Sequence, residues 1–446
     1  MQSASAPPPS NRSPLLTPIR RRSFAGLAGA AAAATLAGCA SEDTSKDLNT
    51  LRVWGGVPPE SGPQTLVDHF MEKHPDQHVT YTRFVNDDRG NLKLNTALQG
   101  GVDIDVFFTY DPANLAMRSG SGMASDVSDL VRSTPEFEPF LDTNEPKALF
   151  DGEAITALAT TKEPNFLLLN ESMRDEAGIS LPEAWKLDEY LEAVRELAGP
   201  ERYGTYKLPD LPRIELGPNY WYTEDGGSNF EHPAFLRHFD LTAQMIREGQ
   251  IFPWSQVLAR QIEAYQQNNF IAGDFAVWGT APFSLRYLND PENYPHDFLT
   301  SCAPMPTIDG AGWNSGVYGN HIQINAKSPK QEIAREFVKF WLLEGAADMA
   351  PGGKIPALDN VDPGIQLEGI LGEDMESYFD VASFRHTLFD NGPKLLTDTN
   401  LTAVAEITHT YEQQRDVCWL LERTPERAIT TIHADADALI ERFRED

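Results

Sequence analysis

The sequence predicts an α/β protein built from more than one domain. Three observations carry that prediction. Short apolar runs without helical period suit buried strands. Between them lie segments with apolar residues at helical spacing, punctuated by glycine and proline. The chain has 446 residues, a length that predicts two or three domains with ample core. The stretch from Asp151 to Tyr206 displays the pattern most clearly. Ala154–Ala159 and Phe166–Leu169 read as strands, and Asn170-Glu171 opens a short helix that Gly178 ends as a C′ glycine. Asp188–Leu197 reads as a longer helix with Leu187, Tyr190, Leu191, Val194 and Leu197 on one side, stopped by Gly199-Pro200.

Upstream, Leu51–Trp54 reads as the first strand, closed by Gly55-Gly56, and Thr65–Lys73 as a helix with Leu66, Val67 and Phe70 apolar. His74-Pro75 ends that helix, so His74 reads as a helix-end residue, and His78–Tyr81 starts the second strand. Leu92–Leu98 is the next helix, broken at Gly100-Gly101, and Asp103–Phe108 the next strand. Asp103 and Asp105 do not read as a glycosidase pair, because alternate strand residues share a face while that chemistry needs carboxylates across a substrate. Asp111 falls just beyond the strand. It reads either as the cap of a helix opened by Pro112 or as a short acid for ligand hydroxyls at a strand end.

Downstream, Leu208–Gly227 is loop-like and carries Tyr220-Trp221-Tyr222 followed by Glu224-Asp225. Exposed aromatics beside carboxylates suit a sugar, whose C–H faces take a ring and whose edges take polar groups; a cluster packed under the loop is the other reading. Pro233–Glu248 reads as an amphipathic helix with His232 and His238 at the surface, and Ile262–Phe270 as another helix. Trp278, in Gly273–Gly279, reads equally as a stacking platform or as hinge packing. Ile322–Ile324 alternates as a strand, preceded by Tyr318-Gly319-Asn320. Glu332–Leu343 is a strong helix with Trp341 in its core face, and Leu401–Arg444 reads as two helices around Thr424-Pro425-Glu426.

The formal net charge is −30, and no Lys/Arg cluster follows residue 50, which argues against nucleic acid. Nothing in the sequence supplies a nucleophile with a neighbouring base, a zinc spacing, a phosphate loop or a dinucleotide fingerprint, so no catalytic residue, metal or cofactor is expected. Cys302 and Cys418 read as buried free thiols or as a disulfide. At the N-terminus, Arg20-Arg21-Arg22-Ser23-Phe24, the Ala-rich run Ala25–Thr35 and Leu36-Ala37-Gly38-Cys39 form a secretory leader too short to span a membrane. The arginines resemble a twin-arginine signal. Leu36–Cys39 resembles a bacterial lipobox, which implies lipidation of Cys39 and a tether over 40–50.

The ordered set Gly, strand, loop, strand ending in Asn170, short helix, Ala177-Gly178-Ile179, Pro182, Trp185, helix and Tyr203-Gly204 resembles the extracellular solute-binding proteins of carbohydrate ABC importers, the maltose-binding-protein-like family 1. Departures are Leu168-Leu169 for the usual L-Y before Asn170 and Ala184 for the Thr before Trp185. The resemblance extends through Phe70–Val79, Gly273–Gly279, Gly319–Phe340, Gly352–Ala357 and Thr424–Glu426. It implies a two-lobed periplasmic-binding-protein-like fold of type II. Lobe 1 is expected over 51–156 plus 283–326 and lobe 2 over 157–282 plus 327–446, with crossings near Ile155, Ala281 and Ala326. It further implies a lipid-anchored, monomeric, non-enzymatic protein outside the cytoplasm that hands a sugar or oligosaccharide to permease subunits. Trp54, Asp111, Trp221, Tyr222, Trp278, Tyr318 and Asn320 are the expected binding residues. Two alternatives stand: the same fold taking a polyamine, peptide or phosphorylated polyol, for which Arg83, Arg213 or Arg286 would serve, and a secreted carbohydrate-active hydrolase.

Overall fold

Among the described residues, eleven strands form the frame: β1 (Thr50–Gly55), β2 (His78–Arg83), β3 (Val106–Thr109), β4 (Ala148–Asp151), β5 (Ala154–Glu163), β6 (Phe166–Asn170), β7 (Tyr203–Thr205), β8 (Phe275–Thr280), β9 (Thr300–Pro304), β10 (Val317–Ile324) and β11 (Ile355–Pro356). The computed structural model describes residues 49–445 except 263–265, 311, 391, 393 and 396. The leader, the lipobox at Cys39 and nearly all of the tether lie outside the described residues, as does part of the helix expected over Ile262–Phe270.

The strands form two sheets. One runs β11-β5-β10-β3-β1-β2, with β4 also on β5; the other runs β7-β8-β6-β9. Both belong to one compact unit, Leu48–Asp446. In the first, β1 pairs in parallel with β2 and β3, and β10 lies antiparallel between β3 and β5. In the second, β6 is antiparallel to β8 and β9. The apolar runs that predicted strands are buried because helices or loops cover both faces; every residue of β6 is buried.

Helices form where the sequence signals them. Pro63–Lys73 has Pro at its first position and buries Leu66, Val67 and Phe70; it stops at His74, whose ring stacks on Phe70 at 4.3 Å. Glu171–Ala177 is capped by Asn170, whose side chain accepts from Met173 N at 3.2 Å, and ends on Gly178 at φ 70°. Leu187–Leu197, Pro233–Arg247 and Gln331–Leu343 form helices close to their expected bounds, as does the C-terminal pair Val404–Trp419 and Pro425–Glu445. Trp341 is 4% exposed in the core of the first sheet.

The lobes divide elsewhere than the resemblance implied. All of β5 is in the first sheet, so the first crossing lies between Glu163 and Phe166 rather than near Ile155. β9 pairs with β6 and belongs to the second lobe, which moves the second crossing to 305–316 from Ala281. The helix Gln331–Leu343 packs Phe337, Phe340 and Trp341 against Val53, Phe108 and Ile322 of the first lobe, so Ala326 is not a crossing. After β11 the helix Pro363–Leu371 buries Leu367, Ile370 and Leu371 in a core that also takes in Ala350 and Ile355. Hydrogen-bonded pairing and shared apolar faces set these boundaries, and neither is encoded locally. By strand pairing, β1–β5, β10 and β11 belong with the first sheet and β6–β9 with the second.

The first two crossings are clasped together. Asn165 N donates to Asn314 Oδ1 at 2.8 Å and Asn314 Nδ2 donates to Asn165 O at 2.8 Å. Gly316 completes the contact: a Cβ there would lie 2.1 Å from Glu163 O, so only glycine lets the strands approach.

Candidate functional site

A cavity of about 220 Å³ lies where the two lobes meet. One wall comes from lobe 1: Tyr110, Asp111 and Leu115 after β3, Ala148–Phe150 of β4, and Val317, Tyr318, Gly319 and His321 of β10. The opposite wall is the segment Thr397–Thr399 with Leu401. That segment is built into lobe 2. Arg213 Nη1 donates to Asp398 Oδ2 at 2.6 Å, and Asn219 N donates to Asp398 Oδ1 at 2.6 Å. Asn219, at φ 56°, accepts at Oδ1 from Thr399 N and Asn400 N, both at 2.8 Å. Thr397 Oγ1 reaches the other way and donates to Pro146 O on lobe 1, so the wall joins both lobes.

The polar groups differ in how they are used. Asp111 caps the helix Pro112–Gly120, accepting from Asn114 N at 2.8 Å and Asn114 Nδ2 at 2.9 Å. Tyr318 is 8% exposed, and Lys147 Nζ stands 4.7 Å from its ring centroid. Burial, with help from Glu145, pushes the Tyr318 hydroxyl up to about 12, so it stays a donor. His321 is 9% exposed, and burial pulls its imidazole down to about 4, leaving the ring neutral near pH 7.

A smaller space adjoins this one at Tyr110 and is lined by Tyr81, Thr161, Asn320 and Lys354. Asn320 is at φ 51° inside a strand, a conformation Asn tolerates better than most residues. Its amide donates to Glu163 Oε1, which also accepts from Thr161 Oγ1 at 2.9 Å and Lys354 Nζ at 2.9 Å. Asn320 thus holds the carboxylate at the first crossing against the lysine that precedes β11. Another space, of about 310 Å³, shares Tyr318 and lies along β11 and the residues that follow it.

Of the seven residues expected from sequence, Asp111 and Tyr318 line the 220 Å³ cavity, and Asn320 lines its neighbour. Trp54 stands at the end of β1 under Lys93, 5.4 Å from its ring, and lines neither space. Trp221 and Tyr222 line neither space. Trp221 packs against Phe230 and Tyr411 at 5.6 and 5.5 Å, and Tyr222 is 8% exposed with its hydroxyl donating to Thr402 O at 2.7 Å. The aromatic loop lies under the wall and braces it. Trp278 is also core: 1% exposed, its Nε1 donates to Gln266 Oε1 at 3.0 Å, leaving no free ring face. His238 is buried rather than at the surface, because it shares the apolar face of Phe235, Phe239 and Thr242 and packs on Trp419.

The strand carboxylates are structural. Lys330 Nζ meets Asp105 at 2.9 Å and Asp103 at 3.2 Å, and Asp105 is fully buried. Cys302 and Cys418 are both buried free thiols. Ser228 Oγ lies 3.0 Å from His433 Nδ1, and His433 Nε2 lies 3.4 Å from Asp437 Oδ2. Ser228 N also donates to Asp437 Oδ1 at 3.0 Å, so the cluster pins the loop to the last helix. Sequence reasoning missed Lys147, Phe150, His321 and Thr397–Thr399. The run of short polar residues Thr397–Asn400 signals a loop and nothing more, since its partners are some 180 residues away.

Residues 56–348 match the family of bacterial extracellular solute-binding proteins. The chain is a member of that family. The two-lobed α/β fold of this solute-binding protein is shared with solved structures of low identity. One is a substrate-binding protein from Listeria monocytogenes in complex with cycloalternan, at 16% identity and TM-score 0.70, covering 88% of this chain and 99% of that one. A second is from Thermotoga lettingae, bound with alpha-D-tagatose, at 17% identity and TM-score 0.68, covering 88% and 100%. A third, from Agrobacterium vitis with bound D-mannitol, has 14% identity and TM-score 0.62, covering 88% and 98%. No curated protein sequence matches the solute-binding protein.

Proposed function

We propose that this solute-binding protein captures a sugar or related polyhydroxylated solute between its lobes for an ABC importer. The observation that carries the reading is the cavity walled by both lobes, lined by Tyr110, Phe150 and Tyr318 beside polar side chains that include His321. Rings of this kind cover the C–H face of a sugar, and short polar groups take its edges. A ligand touching both walls favours the closed arrangement over an open one, and the closed form is what a permease would receive. The cavity's own chemistry supports a neutral solute over a phosphorylated one. Among the described residues its lining includes no lysine or arginine to meet a phosphate.

Among the described residues no helix is long and apolar enough to cross a membrane. We place the protein outside the cytoplasm as a monomer held by lipid on Cys39, exported through its arginine-bearing leader. A protein expressed with its leader is expected to incorporate labelled fatty acid, and Cys39→Ala to abolish the label. Binding without turnover is the proposed activity. The test is a thermal-shift screen of the leaderless chain, in which ligand raises the melting temperature by mass action. Neutral sugars or polyols raise it, and chromogenic glycosides are not cleaved. A response only to polyamines, peptides or phosphorylated polyols overturns the reading, as does glycoside turnover.

A further inference from the structure

The cavity's polar groups fall into two sets. Asp111 gives both oxygens to Asn114. Asp398 gives both to Arg213 and Asn219, and Thr397 donates to Pro146 O. Those groups shape the walls and have their hydrogen bonds made. His321 and Tyr318 are different. Both are more than nine-tenths buried and both line the cavity. Among the described residues neither the imidazole nor the phenol has a hydrogen-bond partner. Their polar atoms open into the cavity and not onto protein partners, so an occupant of the cavity is what can complete their hydrogen bonds.

The space is small. The cavity itself, at about 220 Å³, falls below the roughly 300–1,000 Å³ of a drug-sized site, and the 310 Å³ space that shares its Tyr318 is lined separately by β11 and the residues that follow it. The bond from Thr397 to Pro146 O closes the span between the walls. Apolar Leu115, Val317 and Leu401 complete the lining.

We propose that His321 and the Tyr318 hydroxyl are the specificity-determining groups of this site, and that they select a neutral polyol of one ring or one short chain over an oligosaccharide. The inference rests on the cavity being the solute site. A neutral imidazole offers one N–H and one bare nitrogen, and the phenol offers one O–H. That set matches vicinal hydroxyls, each of which both donates and accepts. The positive charge of Lys147 is turned onto the far partner, the Tyr318 ring, and does not ask for an anion.

Calorimetric titration of the leaderless chain with hexoses, hexitols, disaccharides and trisaccharides tests it. Hexoses or hexitols bind most tightly. His321→Leu and Tyr318→Phe each weaken that binding about tenfold, the effect of one lost hydrogen bond that leaves a ligand group unsatisfied. Tyr318→Phe removes a single oxygen, so it decides the matter if His321→Leu fails to fold. Tighter binding of a trisaccharide than of any hexose overturns the proposal and leaves the sugar reading standing. Unchanged affinity in Tyr318→Phe also overturns it. No response to any sugar or polyol overturns both.

Discussion

Arg213 Nη1 and Asp398 Oδ2 stand 2.6 Å apart, joining a helix of the second lobe to the wall of the inter-lobe cavity across 185 residues of sequence. Arg213 is 6% exposed. Removing one partner of such a pair leaves a charge buried without compensation and costs about 3–5 kcal/mol. Asp398→Ala is expected to lower unfolding stability by that order in urea titration and to abolish ligand response. Asp398→Asn is expected to retain part of both.

Lys330 is the corresponding lock in the first lobe, bridging Asp103 and Asp105. Lys330→Ala strands the fully buried Asp105 and is expected to cost about 3–5 kcal/mol. It lines neither inter-lobe space, so ligand affinity of the surviving folded fraction is expected to stay unchanged in calorimetry.

The aromatic loop makes a distinct prediction. Trp221→Ala opens a cavity beside Phe230 and Tyr411 and is expected to cost about 3–5 kcal/mol. Any loss of ligand affinity then follows from a loosened Thr397–Thr402 wall. Trp221→Phe, which refills most of the space, is expected to restore binding and so separates bracing from stacking.

Stability is expected to fall on acidification from about pH 6.5 toward pH 4. Burial is the first cause that brings His238 and His321 each down to about 4. An unfolded histidine titrates near 6.5. Above that pH both states are neutral and the full stability is present. Below it, the unfolded chain takes protons that the fold refuses, and about 1.4 kcal/mol is lost per pH unit for each histidine. The loss levels off once the folded imidazoles protonate. Urea titrations at pH 7, 6 and 5 check this, and His238→Gln is expected to halve the histidine share of the slope.

Cys302 and Cys418 are buried and unpaired, and burial raises the thiol of each, Cys418 to about 11. The native leaderless chain is expected to react with neither under a thiol reagent, and the unfolded chain with both.

The sequence by itself determined the elements. Apolar runs became β5 and β6, Asn170 and Gly178 bounded their helix, His74 ended its own, and the order of motifs placed the chain in its family. Each of these depends on residues within a turn or two of one another, so the physics is local. The tertiary structure alone decided which lobe owns β9 and the helix Gln331–Leu343, because pairing and packing partners lie far along the chain. It also decided the site. Asp111 and Tyr318, both expected from sequence, line the inter-lobe cavity because each lies at or just beyond a strand end. For Trp278 and Trp221 the sequence left two readings open, because an aromatic side chain looks the same in sequence whether its faces meet a ligand or a core. His321 and Asp398 were silent for the same reason: a lone histidine and a loop acid acquire meaning only from burial and from partners that folding brings to them.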